Sequence, residues 1–366
     1  MVTVPFDIQL SVIELIYRSS QHAVVDYSTL CACALVCRAW TAPAQRLLFR
    51  RVPCGDVAFP IPYPQRAANR LLATLRDAAH LAEHVRLIFI TLWSDSAYDA
   101  SYIVDVALLE RCPHVAGVVI LGQLVGDGDF NPILEARLRR IPLRSAFLQV
   151  EGEYTMVERV VQMWPGVRVL SARVLDNEDT ELVIDDEPEP PLQVHIPGTV
   201  ETLSVHGSQI DRLLARPNFS PALRDLELIL PAWTRADLHY LEVSGVLPRL
   251  ETLRIVGRFP PPNVLAQLTR LDSLVISTLP AQSIALPQSL RRVAYHHDFP
   301  VEYAEGVRLL LDALRTLPSL QLVAVTPRSE PEVIATLRKV CSGGRVDFIV
   351  YEAPDRLQGP QHVDWI

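Results

Sequence analysis

The sequence predicts an α/β protein in which a short helical N-terminal region precedes a curved solenoid of about eleven strand–helix units. Three observations predict this architecture. The pattern apolar-x-x-apolar-x-apolar recurs from residue 85 onward, at a mean spacing of about 26 residues. A proline precedes most copies of the pattern. The first fifty residues lack the pattern and instead carry apolar residues at helical spacing.

Each copy of the pattern predicts one short, half-buried strand, because its last two apolar residues alternate with other residues. We count repeat positions from the first apolar residue, which is position 0. Positions +3 and +5 then face the core, and positions +2, +4 and +6 face the opposite side of the sheet, here called the outer face. The position 0 residues are Val85, Val115, Leu143, Val167, Val200, Leu223, Leu250, Leu271, Leu290, Leu320 and Val346.

Helical patterns lie between the strands. Val307, Leu310, Leu311 and Leu314 share one helical face, and Pro318 follows them. Proline ends a helix and biases the residue before it toward an extended conformation. One strand and one helix cannot bury their apolar faces alone, so neighbouring units are expected to stack.

This periodicity resembles the leucine-rich repeat family over residues 85–352. The family carries Asn or Cys eight residues after its first leucine, whereas this chain has Trp93, Gln123 and Glu151 there in the first three units. The repeats are therefore degenerate. An ordinary α/β topology is the alternative, although eleven units without a glycine-rich nucleotide turn argue against it.

Three short helices are expected before residue 52. The apolar residues at helical spacing are Ile8, Val12, Leu15 and Ile16, then Leu30, Cys33, Ala34 and Cys37, then Trp40, Ala44, Leu47 and Leu48. Ser28 is placed to cap the second helix. A core of this size is marginal on its own, so these helices are expected to lean on a partner or on the repeats.

Four strings in this region resemble the F-box of mushroom-forming fungi: Val4–Ile8, Val12–Ile16, Ala34–Trp40 and Leu47–Val52. The resemblance implies docking on the Skp-type adaptor of a cullin–RING ubiquitin ligase, with an unidentified protein substrate held by the repeats. It places Trp40 as the internal anchor. The residues that it assigns to adaptor-facing or adaptor-adjacent positions are Pro5, Ile8, Ile13, Ile16, Leu35 and Val36. The alternative is that these helix faces pack on the repeats.

The charge balance and the hydropathy exclude several classes of partner. With 34 basic and 42 acidic residues, the net charge of −8 argues against a nucleic-acid-binding surface. No apolar run approaches the roughly 20 residues that span a bilayer. No basic residue precedes Arg18, which is not typical of a signal peptide, so a cytoplasmic or nuclear location is expected.

No motif for catalysis, cofactor binding or metal binding is found, so we expect neither an enzyme nor a bound group. Cys31, Cys33 and Cys37 cannot all share one helical face, and no second cluster completes a tetrahedral metal site. His296 and His297 are adjacent at a strand end and point to opposite sides. No nucleophile elbow, phosphate loop or zinc-protease motif occurs.

The predicted organisation is an F-box domain at 1–55, a helical connector at 56–84, the repeats at 85–352 and a tail at 353–366. Residues 176–191 hold a run of acids with three prolines and are interpreted as a solvated insertion. The substrate is expected on the outer face of the later strands. The residues expected there are Thr202, Ser204, His206, Asp225, Glu227, Thr252, Arg254, Ser273, Arg292 and His296. Without ligase recruitment, the same surface would serve a free-standing interaction scaffold.

Overall fold

The computed structural model describes residues 8, 11–14, 27–52, 65–93, 101–124, 132–152, 159, 161–175, 198–206, 220–230, 233, 235–296, 303–325, 331–342 and 346–350. The predicted acidic insertion at 176–191 and the tail at 353–366 lie outside these ranges. The chain divides into two compact units, Met1–Glu153 with Pro354–Ile366, and Tyr154–Ala353.

The first unit begins with helices and continues into four parallel strands. Residues 8 and 11–14 are helical. The helices that follow are α1 (Tyr27–Val36), α2 (Arg38–Leu48), α3 (Gln65–Asp77), α4 (Ala79–Ala82), α5 (Ser101–Arg111) and α6 (Pro132–Leu138). The strands are β1 (Arg51–Val52), β2 (Leu87–Trp93), β3 (Gly117–Leu124) and β4 (Ser145–Gly152), and they pair in chain order.

The second unit contains eight parallel strands that also pair in chain order. They are β5 (Val169–Leu175), β6 (Thr202–His206), β7 (Asp225–Leu230), β8 (Thr252–Gly257), β9 (Ser273–Ile276), β10 (Arg292–Tyr295), β11 (Leu322–Val325) and β12 (Asp347–Val350). Its helices are α7 (Arg235–Val243), α8 (Pro262–Gln267), α9 (Tyr303–Arg315) and α10 (Pro331–Ser342). A 3₁₀ turn spans Leu247–Arg249.

A tight turn precedes seven of the strands and explains four of the prolines. The N–H of Val115 donates to the carbonyl of Cys112, and the same hydrogen bond to the residue three positions earlier forms at Val85, Val167, Leu223, Leu250, Leu271 and Leu290. Four of these seven turns have proline directly after the accepting residue, where its fixed φ suits the turn. These prolines are Pro113, Pro165, Pro221 and Pro248. Proline therefore favours the turn before four of the strands, and the same turn forms without a proline in that place before β2 and β9.

All eleven predicted strands form, and the α/β repeat topology is confirmed within each unit. Ten of them begin two residues after position 0, at their predicted register. The register of β12 is the exception: Phe348 and Val350 pair with the buried Val323 and Val325. The prediction from Val346 placed Ile349 inward and is wrong by one residue.

The structure also contains a strand that the sequence analysis missed. Strand β1 pairs with β2, and the carbonyl of Arg50 accepts hydrogen bonds from the N–H groups of Arg86 and Leu87. Phe49, Val52 and Cys54 fit the repeat pattern, but they were interpreted as the end of the helical N-terminal region. The repeat region therefore begins one unit earlier than predicted.

The N-terminal helical segments share one small core. Its buried members are Ile13, Leu30, Cys33, Ala44 and Leu47, with Tyr27, Ala34, Trp40 and Leu48 packed against them. Ile13 is fully buried, so the expectation that its side chain faces an adaptor is wrong. The F-box resemblance placed Ile13 at an adaptor-facing or adaptor-adjacent position, whereas its side chain packs against residues of α1 and α2.

This core allows a matched test on one helix, since Leu30 is fully buried and Leu35 is 87% exposed. Leu30→Ala should lower the free energy of opening of α1 and α2 by about 2–5 kcal/mol, because it leaves a cavity. Leu35→Ala should change the same quantity by less than about 0.5 kcal/mol. Native-state hydrogen exchange of the α1 and α2 amides measures both. Equal effects of the two substitutions would contradict the assigned packing.

Candidate functional site

Exposed apolar side chains concentrate on the N-terminal helices. Leu35 and Val36, at the end of α1, are 87% and 64% exposed, and Ile8 and Val12 are 53% and 42% exposed. Ile8 and Val12 are four residues apart and therefore lie on the same helical face. We call these four residues the helical apolar surface. Of the other residues expected to face an adaptor, Pro5 and Ile16 lie outside the described part of the chain.

Hydrogen bonds hold this surface on a fixed base. The hydroxyl of Thr41 donates to the carbonyls of Ala34 (2.9 Å) and Cys37 (3.2 Å), across the junction between α1 and α2. The guanidinium of Arg46 lies 3.3 Å from the carboxylate of Glu14, which connects the first helical segment to α2. Trp40 packs against the shared core, in agreement with its predicted role as an anchor.

The N-terminal helices are also connected to the first strand of the repeats. The Tyr27 hydroxyl, at the start of α1, donates to the carbonyl of Arg51 in β1 (3.2 Å). Only two residues, Phe49 and Arg50, separate the end of α2 from the start of β1. The helical apolar surface is therefore carried by the same compact unit as β1–β4.

The outer face differs between the two units. In the first unit Leu87, Val119 and Phe147 on β2, β3 and β4 are at most 2% exposed, whereas Phe89 on β2 is half-buried. In the second unit the outer face of β6–β8 is polar, and most of its described side chains are partly exposed to solvent.

The strand register brings the predicted substrate residues of the second unit into two rows. Position +2 forms one row across β6–β10, and position +4 forms a second row across β6–β8. The first row is Thr202, Asp225, Thr252, Ser273 and Arg292, and the second is Ser204, Glu227 and Arg254. His296 directly follows β10, and the side chain of His206 is outside the described set.

The centre of the second row is the Glu227 carboxylate, whose side chain is only 15% exposed. It accepts a hydrogen bond from the Ser204 hydroxyl (2.9 Å) and contacts the Arg254 guanidinium (3.4 Å). Ser204 itself is buried, so the expectation of an exposed hydroxyl there is corrected. Its hydroxyl is satisfied within the sheet, which makes Ser204 a support for Glu227.

Hydrogen bonds at Gly257 connect the carboxyl ends of β8 and β9. Ser277 is buried and accepts a hydrogen bond from the N–H of Gly257 (2.8 Å). Gly257 has φ of 114°, a conformation that residues with a side chain rarely adopt. The Thr278 hydroxyl donates to the Gly257 carbonyl. These bonds hold the carboxyl end of β8, the strand that carries Arg254.

Sequence reasoning missed a row of charged residues at position +1. Arg168 pairs with Glu201 (2.6 Å), Arg224 with Glu251 (3.6 Å) and Asp272 with Arg291 (3.6 Å), each across neighbouring strands. A hydrogen bond to Glu201 raises the pKa of the Arg168 guanidinium. The recurrence of a charged residue at this repeat position is visible in the sequence and could have revealed the row. Because these charges are paired with one another, the row favours strand stacking more than ligand binding.

Hydroxyls in the turns connect consecutive repeats at the same edge. Thr199 donates to the carbonyl of Val167 (2.9 Å), Ser220 to that of Val200 (2.7 Å) and Ser289 to that of Leu271 (2.8 Å). In each case the acceptor is the position 0 carbonyl of the preceding repeat. Side-chain hydrogen bonds between repeats are therefore present although the family's asparagine is missing.

The cysteines differ sharply in accessibility. Cys31 and Cys37 are exposed beside the helical apolar surface, whereas Cys33, Cys112 and Cys341 are buried. Burial raises the pKa of the Cys112 thiol to about 12, and burial also raises the pKa of the Cys341 thiol. Within the described ranges, no three His, Cys, Asp or Glu side chains are grouped closely enough to hold a metal ion.

Comparisons with known proteins give little further information. No protein-family model and no curated protein matches the chain. Among solved structures, the chain is similar to the crystal structure of the TLR13-ssRNA13 complex, with 12% identity and a TM-score of 0.30. That similarity covers 68% of this chain and 37% of the other. A TM-score this low does not establish a shared fold. No helix in the described ranges is both long and apolar enough to cross a membrane.

The cysteine environments predict selective alkylation. Iodoacetamide at pH 8 should modify Cys31 and Cys37 in the native chain and leave Cys112 unmodified. The thiolate is the nucleophile in this reaction. Because the pKa of the Cys112 thiol is about 12, only on the order of one such thiol in 10,000 is ionised at pH 8. Peptide mass mapping before and after denaturation measures the result. Rapid modification of Cys112 in the native chain would contradict its assigned burial.

Proposed function

We propose that this chain is the substrate-recognition subunit of a Skp–cullin–F-box type ubiquitin ligase. In this proposal residues 1–55 form the F-box and dock on the Skp-type adaptor, and the repeats bind a protein substrate. The observation that carries the proposal is the helical apolar surface, formed by Ile8, Val12, Leu35 and Val36. Apolar side chains exposed on helices that already share a core indicate a surface for a partner.

The packing of the N-terminal helices supports this role. An adaptor-binding module needs a core that folds before the partner arrives and apolar residues left outside that core. Ile13, Leu30 and Leu47 provide the first, and Leu35 and Val36 provide the second. Because α2 runs almost directly into β1, the adaptor-docking helices and the first four strands of the repeats lie in one compact unit without a long linker between them.

The chain itself performs no chemistry in this proposal and holds no cofactor or metal. Its contribution is to bring a substrate near the ubiquitin-charged enzyme of the ligase, which is an effect of proximity. Such a ligase acts in the cytoplasm or the nucleus, and these are the compartments proposed. The partners are two proteins, with no nucleic acid and no membrane.

A free-standing interaction scaffold is the alternative, and one observation favours it. Exposed apolar side chains also occur away from the N-terminal helices, at Val243 on α7 and at Ile349 and Val350 on β12. A scaffold without ligase recruitment would use such surfaces for other proteins. Binding of a purified Skp-type adaptor distinguishes the two functions.

The test of the proposed function is a substitution in the helical apolar surface. Leu35→Asp in the full chain should weaken binding of a purified Skp-type adaptor by roughly tenfold or more, because a charge would be desolvated in an apolar contact. Its thermal unfolding should not change, since Leu35 is 87% exposed. Isothermal titration calorimetry measures the affinity.

Two further variants separate binding from folding. Val243→Asp changes an exposed apolar residue of the second unit and should bind the adaptor normally. Ile13→Asp should unfold the N-terminal helices, and its loss of binding would not identify the contact. Unchanged affinity of Leu35→Asp would remove the adaptor-docking proposal.

Chemical protection gives an independent measurement on the unmodified sequence. Cys31 and Cys37 flank Leu35 and Val36 and are exposed. A bound adaptor should slow their alkylation, whereas the scaffold alternative predicts no protection. Alkylation rates of both thiols, followed by mass spectrometry with and without adaptor, provide the comparison.

A further inference from the structure

The first unit has no acid in the row of residues at position +1. From β1 to β4 this row consists of Arg50, Arg86, Ala116 and Arg144. The carbonyl of Ala116 accepts hydrogen bonds from the N–H groups of Arg144 and Ser145, which is the arrangement that also sets the register in the second unit. Among the described residues, neither Arg86 nor Arg144 pairs with a carboxylate. The row therefore carries positive charge without an acid in the same row to balance it.

An arginine of the second unit shows which group belongs beside Arg86. Nη1 of Arg86 donates to the carbonyls of the residues one and three positions earlier. Nη1 of Arg224 makes the same two hydrogen bonds, so the two guanidinium groups are held in the same way. Nε of Arg224 lies 3.6 Å from the carboxylate of Glu251, at position +1 of the next strand. Beside Arg86 the next strand carries Ala116, which has no carboxylate to offer.

The second unit also has a counterpart for the arginine on the following strand. Asp272, at position +1 of β9, lies 3.6 Å from Arg291, at position +1 of β10. Arg144 occupies that place relative to Ala116 and is exposed. The backbones that carry Arg86 and Arg144 are two strand spacings apart, or about 10 Å at roughly 4.8 Å per spacing. A carboxylate above Ala116 would therefore have one arginine on each side.

The electrostatic surroundings of Arg86 are positive, although the net charge of the chain is −8. His84 lies in the turn before β2, and its pKa is lowered chiefly by burial. The charges of Arg86, His80 and Arg46 lower this pKa further, whereas Glu83 raises it with the smallest effect. Several positive charges thus act on one place at this edge of the first unit, which favours an anion there.

We propose that the place above Ala116, between Arg86 and Arg144, binds a side-chain carboxylate from an acidic segment of a partner protein. The partner supplies the acid that Glu251 supplies to Arg224 within the chain. A charge-assisted hydrogen bond to a guanidinium favours such a group. The inference goes beyond the proposed function, because it concerns β2–β4 and requires no adaptor.

The experiment measures binding of a fluorescein-labelled hexaglutamate peptide to the purified full chain by fluorescence anisotropy. A hexaglutamine peptide with the same label serves as the uncharged reference. We expect saturable binding of the glutamate peptide at low ionic strength, weakening as salt is added, and no binding of the glutamine peptide. Absence of glutamate-peptide binding, or equal binding of both peptides, would overturn the proposal.

Ala116→Glu tests the position itself, because it supplies the missing carboxylate from within the chain. It should weaken binding of the glutamate peptide by about fivefold or more. Its thermal unfolding temperature should not fall, since the equivalent Glu251 is accommodated beside Arg224 with its side chain 59% exposed. Arg144→Gln should also weaken the peptide, by roughly threefold to fivefold, through loss of one charge. Parent-like affinity in both variants would remove the site.

Arg86→Gln and Arg224→Gln form a matched pair. Each removes one charge and the same two hydrogen bonds to the preceding turn, but the charge of Arg224 is already paired with Glu251. Arg86→Gln should weaken the peptide by about fivefold or more, and Arg224→Gln by less than about twofold. Equal losses would indicate attraction to any basic residue and would overturn the assignment.

A last variant keeps this inference separate from adaptor docking. Leu35→Asp changes the helical apolar surface and should bind the glutamate peptide with no less than half the affinity of the parent. Adaptor binding is measured on the same preparations. Peptide binding by a chain that fails to bind the adaptor would support the carboxylate site while removing the proposed function. Adaptor binding by a chain that ignores the peptide would overturn the carboxylate site alone.

Discussion

The structure depends on one repeated hydrogen-bond arrangement at the start of nine of its strands, β2–β4 and β6–β11. The carbonyl oxygen at position +1 accepts two hydrogen bonds from the next repeat. The donors are the N–H groups of positions +1 and +2 of that repeat. The Arg86 carbonyl accepts hydrogen bonds from the N–H groups of Ala116 and Gly117. The Glu251 carbonyl accepts them from the N–H groups of Asp272 and Ser273, and the N···O distances are 2.8–3.0 Å. Because each carbonyl fixes two residues of its neighbour, the register of one strand sets that of the next. The outer-face rows that contain Glu227 and Asp225 are a consequence of this register.

The strands could be located from the sequence because their pattern has a direct physical cause. Positions 0, +3 and +5 must be apolar to reach the core, and a proline precedes most copies of the pattern. Prediction failed where one signal was shared by two interpretations. Val52 belongs to β1 but also ends the string assigned to the helical region, and at β12 both Phe348 and Ile349 are apolar, so the pattern fits in two registers.

The candidate sites were only partly predictable, since periodicity assigns a residue to a face but does not show what covers that face. The F-box resemblance places both Ile13 and Leu35 at adaptor-facing or adaptor-adjacent positions, yet Ile13 is fully buried and Leu35 is 87% exposed. Ser204 and Thr202 both occupy the outer face, yet Ser204 is buried beneath its bond to Glu227. Pairing between side chains on different strands depends on register and on rotamers, which one sequence does not reveal.

The pairing of each strand with only its chain neighbours has a mechanical consequence. Within the described residues, β12 pairs with β11 alone, has four residues and leaves Ile349 and Val350 more than 40% exposed. Force applied from that end would meet one short interface at a time, because no strand within the described ranges pairs with the other edge of β12. The second unit would therefore lengthen in small steps, repeat by repeat, and each step would shorten the outer face by one strand while leaving the remaining rows aligned.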